Sequence, residues 1–472
     1  MLPLYALTLG LSALLMFWVQ PLYTRLALPL LGGAPAVWIT AMLFFQAALL
    51  VGYLYAHLSV RWLGLKRQSL LHGGFLLLAF VALPVALPEA WTPPVGGMHA
   101  GWQIGLMAVG VGLPFFTVSA TAPLLQRWFA HAGHARSADP YFLYSASNIG
   151  SIAALIGYPL LFEPAMRLGE QGWAWTGGYA LLVLLIGWCG VLLWRRFVAE
   201  PPGAEGEELE LSPDISWRRR GIWVLLAFAP SSLMLGVTLH LSTDVAAVPL
   251  LWVVPLALYL LSFVIVFARR PLLPHRWMLL LQVPALVLLA VTMSWSHNLL
   301  WFELLVHLEA FFVAAMVCHG ELAARRPATR HLTEFYLWMS VGGVLGGLFN
   351  ALLAPVLFDS VLEYPMMVVL VALLRPWRAG RGRRDIALDL VLPGLVALLL
   401  WLSVGLGDGG YGIAISMAVF AAAVGAALLL AWRGSPLRFA LGLGVLMILA
   451  PLALKQQGFA GLGESDAIYS ER

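Results

Sequence analysis

Apolar residues fill this chain in long runs separated by short polar gaps. A run of about 20 apolar residues is what an α-helix needs to cross a hydrocarbon core of about 30 Å. Spans are predicted at 4–31, 36–60, 69–87, 103–125, 141–162 and 173–194 in the first half. A second set is predicted at 222–242, 248–267, 277–295, 299–318, 335–358 and 364–374, the last of them short. Three further runs, 386–404, 411–431 and 439–454, form a C-terminal appendix. The pattern predicts an all-α polytopic membrane protein of 14 or 15 transmembrane helices, a six-plus-six arrangement with extra helices at its end.

The charges orient this bundle. All but four of the 27 Lys and Arg residues, the exceptions being Arg25, Arg167, Lys455 and Arg472, fall in the gaps after every second span. Cationic loops stay cytoplasmic, so the N-terminus is expected to be cytoplasmic and the protein to sit in a bacterial-type inner membrane. Composition agrees: with 61% hydrophobic and 11% charged residues and a mean hydropathy of +0.88, lipid is the expected solvent. The net charge of +4 comes from loop arginines facing anionic headgroups, and no nucleic-acid partner is expected. The first run has no basic segment before it and no cleavage-site pattern after it, so it is expected to remain as a helix through Gln20-Pro21. Cys189 and Cys318 both fall inside spans, which leaves no disulfide framework and no four-ligand metal site.

Between the halves lies the one long hydrophilic stretch, where Glu205, Glu207, Glu208 and Glu210 are followed by Arg218, Arg219 and Arg220. It reads as a solvated linker. The expected organisation is residues 1–199 as a first repeat, 200–220 as a cytoplasmic linker, and 221–376 as a second repeat. Extra helices over 377–455 and a tail over 456–472 complete it. The halves look related: Ser147, Gly150, Ser151, Pro159 and Phe162-Glu163 align at a constant offset with Gly343, Gly346, Gly347, Pro355 and Phe358-Asp359. The helix around Trp38, Phe45 and Tyr53 matches that around Trp252, Tyr259 and Val266 more loosely. Six helices, a linker and six more resemble the plan of the major facilitator superfamily (MFS). That superfamily's signature loop between the second and third spans is not found. Gly342/Gly346 and Gly343/Gly347 form small-xxx-small pairs, expected to let helix backbones approach.

Several motifs carry a closer resemblance. Gln20-Pro-Leu-Tyr-Thr-Arg25 leads into Leu30-Leu-Gly-Gly-Ala-Pro-Ala-Val-Trp38, and Ser119-Ala-Thr-Ala-Pro-Leu-Leu-Gln126 precedes Asp139-Pro-Tyr-Phe-Leu-Tyr-Ser-Ala-Ser-Asn148. With Leu241-Ser-Thr-Asp-Val-Ala-Ala-Val-Pro-Leu-Leu-Trp252 and His331-Leu-Thr-Glu-Phe-Tyr-Leu-Trp338, these resemble the membrane portion of fused MFS/spermidine synthase proteins. The resemblance reaches to about Pro376. It implies a polyamine-related solute and a spermidine synthase-like partner. The family's aminopropyltransferase domain is expected to be absent here, so no enzyme activity is expected. Gly405-Leu-Gly-Asp-Gly-Gly410 superficially resembles a nucleotide loop, but it has no strand before it and reads as an inter-helix turn. No cofactor is expected.

Ionisable and amide groups at membrane depth are the candidate functional residues, because each is costly there. Arg25 lies about 9 Å from the end of its helix, where it snorkels, forms an ion pair or grips an anion. Glu303 and His307 stand four apart on one helix face and suit either a proton relay or a satisfied polar pair. Gln20, Gln46, Gln126, Asn148, His240 and Asn350 line a cavity or bridge helices. Glu163, Asp244, Asp359 and Glu363 gather at outer span ends as an acidic rim attractive to cations, or serve as helix caps. His240, His297, His307 and His319 offer no pair expected to face each other, so histidine-ligated redox chemistry is the weakest alternative.

Two functions follow from these residues: a transporter or substrate-handling domain for a small polar solute, or a non-transporting anchor for a separately encoded synthase-like enzyme. If all 15 runs cross, the C-terminus falls outside the cytoplasm, away from the cosubstrate such an enzyme needs. The charge asymmetry itself is testable with single cysteines replacing Arg195 or Arg325 in a background lacking Cys189 and Cys318. A membrane-impermeant thiol reagent should label both from the cytoplasmic side only; labelling from opposite sides would overturn the predicted topology.

Overall fold

Hydrocarbon offers the backbone no hydrogen-bond partner, so a chain in lipid must satisfy its own peptide groups. In the computed structural model the described residues are 1–31, 35–88, 91, 99–132, 142–197, 215–242, 253–268, 273–293, 299–327, 331–358, 361–377, 383–408, 424–425 and 435–456. Among them every regular element is helical. Asp244, Asp359, His297, the glutamates of the linker and nearly all of the expected span 411–431 lie outside the described residues.

Helix α1 (Leu2–Leu31) runs straight through Pro21 and Pro29. Helix α2 (Pro35–Leu78) holds two predicted spans in one element: Gly64, at φ 68°, breaks it into two arms, a backbone conformation only glycine adopts without strain. Next come α3 (His99–Met107), α4 (Leu113–Ala130), α5 (Phe142–Gly157) and α6 (Leu168–Arg196). The second half begins with α7 (Trp217–His240), α8 (Val253–Phe267), α9 (His275–Thr292), α10 (Leu300–Ala324) and α11 (Leu332–Leu348). It closes with α12 (Glu363–Leu373), α13 (Arg383–Asp408) and α14 (Pro436–Gln456). Nine helices among the described residues are long and apolar enough to cross a membrane, and four more are shorter apolar helices. Helix α14 is one of the shorter ones, its apolar part being Pro436–Leu449.

Prolines shape the helix interiors. Lacking an N–H, a proline leaves the carbonyl one turn earlier unbonded, and a π turn absorbs the defect. Among the described residues π turns occur at Ala108–Gly112, Tyr158–Phe162 and Phe349–Leu353, beside Pro114, Pro159 and Pro355. The linker expected to extend to Arg220 ends sooner, because Trp217–Arg220 form the first turn of α7. Arg220 there pairs with Glu334 at 2.7 Å, and the Arg219 guanidinium donates to the carbonyl of Arg325 at 3.1 Å.

Two compact units form. The first holds Met1–Phe228, Leu256–Leu272 and Arg325–Ala351. Its core is aromatic, with Tyr5, Tyr23, Phe115, Trp128, Trp175 and Tyr179 all essentially inaccessible. Three of the polar tips end on carbonyls of neighbouring helices: Trp175 on Leu15 (2.9 Å), Tyr179 on Leu76 (2.9 Å) and Tyr23 on Leu106 (3.1 Å). Each such bridge contributes roughly 0.6 kcal/mol in a membrane, so close packing carries most of the stability. That packing needs missing side chains. A Cβ on Gly150 would stand 2.1 Å from the Gly10 carbonyl oxygen, and one on Gly342 only 2.4 Å from that of Val224. Gly343, expected to pack likewise, has no atom of the described residues within 4 Å of its Cβ position.

The second unit holds Ala229–Pro255, Leu273–Ala324 and Leu352–Arg472. Helices α13 and α14 are tied together by Asp389, fully buried, which accepts from Ser435 at 2.6 Å and pairs with Arg438 at 3.1 Å. Arg375, just past α12, donates to Gln282 at 3.0 Å and lies over the Phe439 ring at 5.4 Å. Burial pushes its guanidinium pKa down to about 10, which leaves it protonated at physiological pH. At the other end of α9, His275 is held 2.8 Å from Glu321.

The glycine geometry generates a direct test. Gly150→Leu should destabilise the detergent-solubilised protein by about 1–3 kcal/mol through overpacking, read as a lower unfolding temperature. Gly177→Leu, at an exposed position where no atom of the described residues stands within 4 Å of the Cβ site, should leave that temperature nearly unchanged.

Candidate functional site

Three polar constellations interrupt the apolar interior. The first joins Arg25 of α1 to Glu163 in the closing turn after α5, an ion pair in which both side chains are partly exposed. Trp18 stacks on Phe162 beside it, ring centres 4.0 Å apart. Arg25 thus has its counter-ion within the chain, and Glu163, expected on an open acidic rim, carries a compensated charge. Gln20 on the same helix turns its amide back to the Met16 carbonyl at 3.2 Å.

The second constellation, also in the first unit, gathers tyrosines and amides from α2, α4, α5, α8 and α11. The Tyr336 hydroxyl donates to Gln126 Oε1 at 3.0 Å, and Tyr144 stacks on Tyr336 with centres 5.3 Å apart. Tyr53 approaches Tyr336 at 6.2 Å, and Phe263 and Phe267 meet Tyr144 edge-on at 5.9 and 5.5 Å. One turn further along α2, His57 Nδ1 lies 3.0 Å from the Thr333 hydroxyl. Asn148 is buried one turn from Tyr144. Gln46 occupies the space above Gly347, where a Cβ would stand 2.2 Å from its Oε1. Asn350 donates to the Gly346 carbonyl at 3.0 Å. The aromatic group therefore lies at the arginine-bearing ends of its helices, since His57 precedes Arg61 by one turn, Gln126 adjoins Arg127, and Phe267 is two residues from Arg269.

The third constellation, in the second unit, is the most suggestive chemically. His240, the last residue of α7, stacks on His307 of α10 with ring centres 4.5 Å apart and planes 29° from parallel. His307 Nδ1 is 2.8 Å from the Tyr364 hydroxyl at the start of α12, and the Tyr364 ring lies 5.7 Å from His240. All three are buried, as is Glu363 beside Tyr364, with no exposed area. Gly236 allows the approach, its missing Cβ standing 3.3 Å from that of Tyr364. Glu303 lies one turn along α10 and is half-buried.

This arrangement corrects the expectation that no two histidines face each other. Rotational position on single helices is readable from sequence, but the crossing of α7 with α10 is not. Each neutral imidazole both donates and accepts a hydrogen bond, the bonding pattern that a proton relay uses. Two protonated rings would put like charges 4.5 Å apart in a low-dielectric site, which this geometry disfavours. Among the described residues no group of three or more His, Cys, Asp or Glu side chains could hold a metal ion.

Sequence reasoning missed several groups. Asp389 is an acid within an apolar run, the same signal that singled out Arg25 and Glu303. His72, buried in the first unit 3.4 Å from the Thr121 hydroxyl, lies inside the predicted span 69–87, and Gln68, accepting from Trp128 at 2.8 Å, immediately precedes it; neither was singled out. Tyr53, Tyr144 and Tyr336 gave no signal, because tyrosine is common near membrane interfaces.

No family model and no curated protein matches this chain. Among solved structures it is similar to the MFS (major facilitator superfamily) proton:xylose symporter XylE, known from E. coli, with a TM-score of 0.50 at 13% identity, covering 79% of this chain and 94% of that one. It is also similar to the human organic anion transporter MFSD10, with a TM-score of 0.50 at 14% identity, covering 79% of this chain and 97% of that one. Identity this low speaks for the fold alone, and on that ground the chain is an all-α, multi-pass membrane protein with the fold of the major facilitator transporters.

Proposed function

We propose that this protein is a secondary transporter for a small polar solute, coupled to protons through His240, His307 and Tyr364. The observation that carries the reading is the buried imidazole stack hydrogen-bonded to a tyrosine, since ionisable groups at membrane depth are retained where ions or solutes pass. The fold supports it, because the similar structures are those of a proton:xylose symporter and an organic anion transporter. Glu363 and Glu303, with Asp244 and Asp359 on the same side in sequence, supply negative charge for a cationic solute. A polyamine or its precursor is the solute class that the motif resemblance adds. In this reading the tyrosine group around Tyr336 closes the cytoplasmic end, in a bacterial inner membrane with the N-terminus inside. Arg25 and Glu163 act as a structural tie.

The alternative is an anchor for a separately encoded spermidine synthase-like enzyme, which needs no proton-handling pair. Uptake of labelled putrescine, spermidine and a neutral amino acid into proteoliposomes, with and without an imposed pH gradient, separates the two. Wild type should concentrate at least one of these, and His307→Ala should lower gradient-driven uptake by about tenfold or more. Arg25→Ala should lower thermal stability with a smaller effect on uptake per folded molecule. Folded wild-type protein that moves none of them under any gradient would remove the transport reading and leave the anchor in its place.

A further inference from the structure

A groove of about 800 Å³ runs along the first unit between the second arm of α2 and α6, with Trp128 of α4 behind it. Its volume lies within the roughly 300–1,000 Å³ typical of ligand sites. The two helices are pinned together at its ends. Trp194 Nε1 donates to the Ser69 hydroxyl at 3.0 Å, and the Tyr179 hydroxyl donates to the Leu76 carbonyl at 2.9 Å. Between these pins the helices part, and glycines line the gap.

These glycines differ from those that pack helices. A Cβ on Gly150 or Gly342 would collide with a neighbouring backbone, whereas Gly73, Gly74 and Gly187 have no atom within 4 Å of the Cβ position. Gly190 meets only the edge of Trp128, at 4.0 Å. The missing side chains here make room rather than contact. The groove opens on a face bearing Leu70, Leu77, Leu184 and Val191, all more than half exposed, so hydrocarbon bathes it rather than water.

One end is cationic. Arg195 lines the groove there, and Lys66 lies over the Trp194 and Phe197 rings at 5.6 and 5.0 Å. Arg67 and Arg196 flank it, both exposed. Among the described residues, none of Lys66, Arg67, Arg195 and Arg196 is paired with a carboxylate. An apolar slot in a lipid-facing surface that ends in cations with no carboxylate partner among the described residues, and in an interfacial tryptophan, matches one chemistry: a hydrocarbon tail with an anionic head.

We infer that this groove binds one acyl chain of an anionic phospholipid, with the lipid phosphate held by Arg195 and Lys66. The site is independent of the histidine stack, which belongs to the other unit. Native mass spectrometry of delipidated full-length protein, titrated with phosphatidylglycerol or phosphatidylcholine, tests it. Wild type should retain one phosphatidylglycerol at a concentration about 25-fold lower than phosphatidylcholine. Replacing Lys66 and Arg195 by alanine should erase that preference, at roughly fivefold per cation removed. Gly187→Leu, whose side chain fills open space and should leave folding intact, should weaken binding of both lipids. Equal affinity of wild type for the two lipids, or unchanged phosphatidylglycerol binding by Gly187→Leu, would overturn the inference. A wild-type dimer that Gly187→Leu converts to a monomer would overturn it too, by showing that the groove seats a second copy of the chain.

Discussion

Hydrocarbon cannot solvate a charge or an open hydrogen bond, and nearly every feature of this protein follows from that constraint. It requires helices for the backbone. It also requires each polar side chain placed at depth to find a partner inside the protein. Arg25 meets Glu163, Asp389 meets Ser435 and Arg438, Tyr336 meets Gln126, and the Trp175 indole and Tyr179 phenol end on helix carbonyls. With lipid on the outside there is no water to expel when helices associate, so their approach depends on fit. Gly10 against Gly150 and Gly342 against Val224 are where that fit is tightest.

Polar groups therefore gather into a few constellations, and the kinds differ. The ion pairs neutralise each other and hold helices together. The tyrosine group is hydrogen-bonded and aromatic, and it joins helices from both halves of the sequence at their arginine-bearing ends. The histidine stack stands apart because it brings two imidazoles from different helices into contact, one of them hydrogen-bonded to Tyr364. Glycine shows a parallel division of roles: some positions draw backbones together, while those along α6 and the second arm of α2 hold open a groove to the bilayer.

The spans were legible because apolar run length is a one-dimensional property, and helices such as α1, α6 and α10 stand where the pattern puts them. Boundaries moved where local chemistry outweighed hydropathy. Trp217–Arg220 reads as linker by charge, yet the arginines bond Glu334 and the Arg325 carbonyl and so join α7. The π turns were invisible to run length, although Pro114, Pro159 and Pro355 mark them. Site residues were legible one at a time, as polar groups out of place. Their grouping was not, because the meeting of His240 with His307, or of Arg25 with Glu163, depends on helix crossings that no periodicity encodes. Asp389 is the exception, an acid at depth whose signal was in the sequence throughout.

The central claim is that His240 and His307 act as one proton-accepting pair inside the membrane. Solid-state nitrogen NMR of histidine-labelled protein in bilayers, titrated between roughly pH 5 and pH 9, reads the imidazole states directly. The account predicts that one imidazolium forms per pair and that Tyr364→Phe alters its titration. Two rings that protonate independently, or a pair that stays neutral across the whole range, would contradict it.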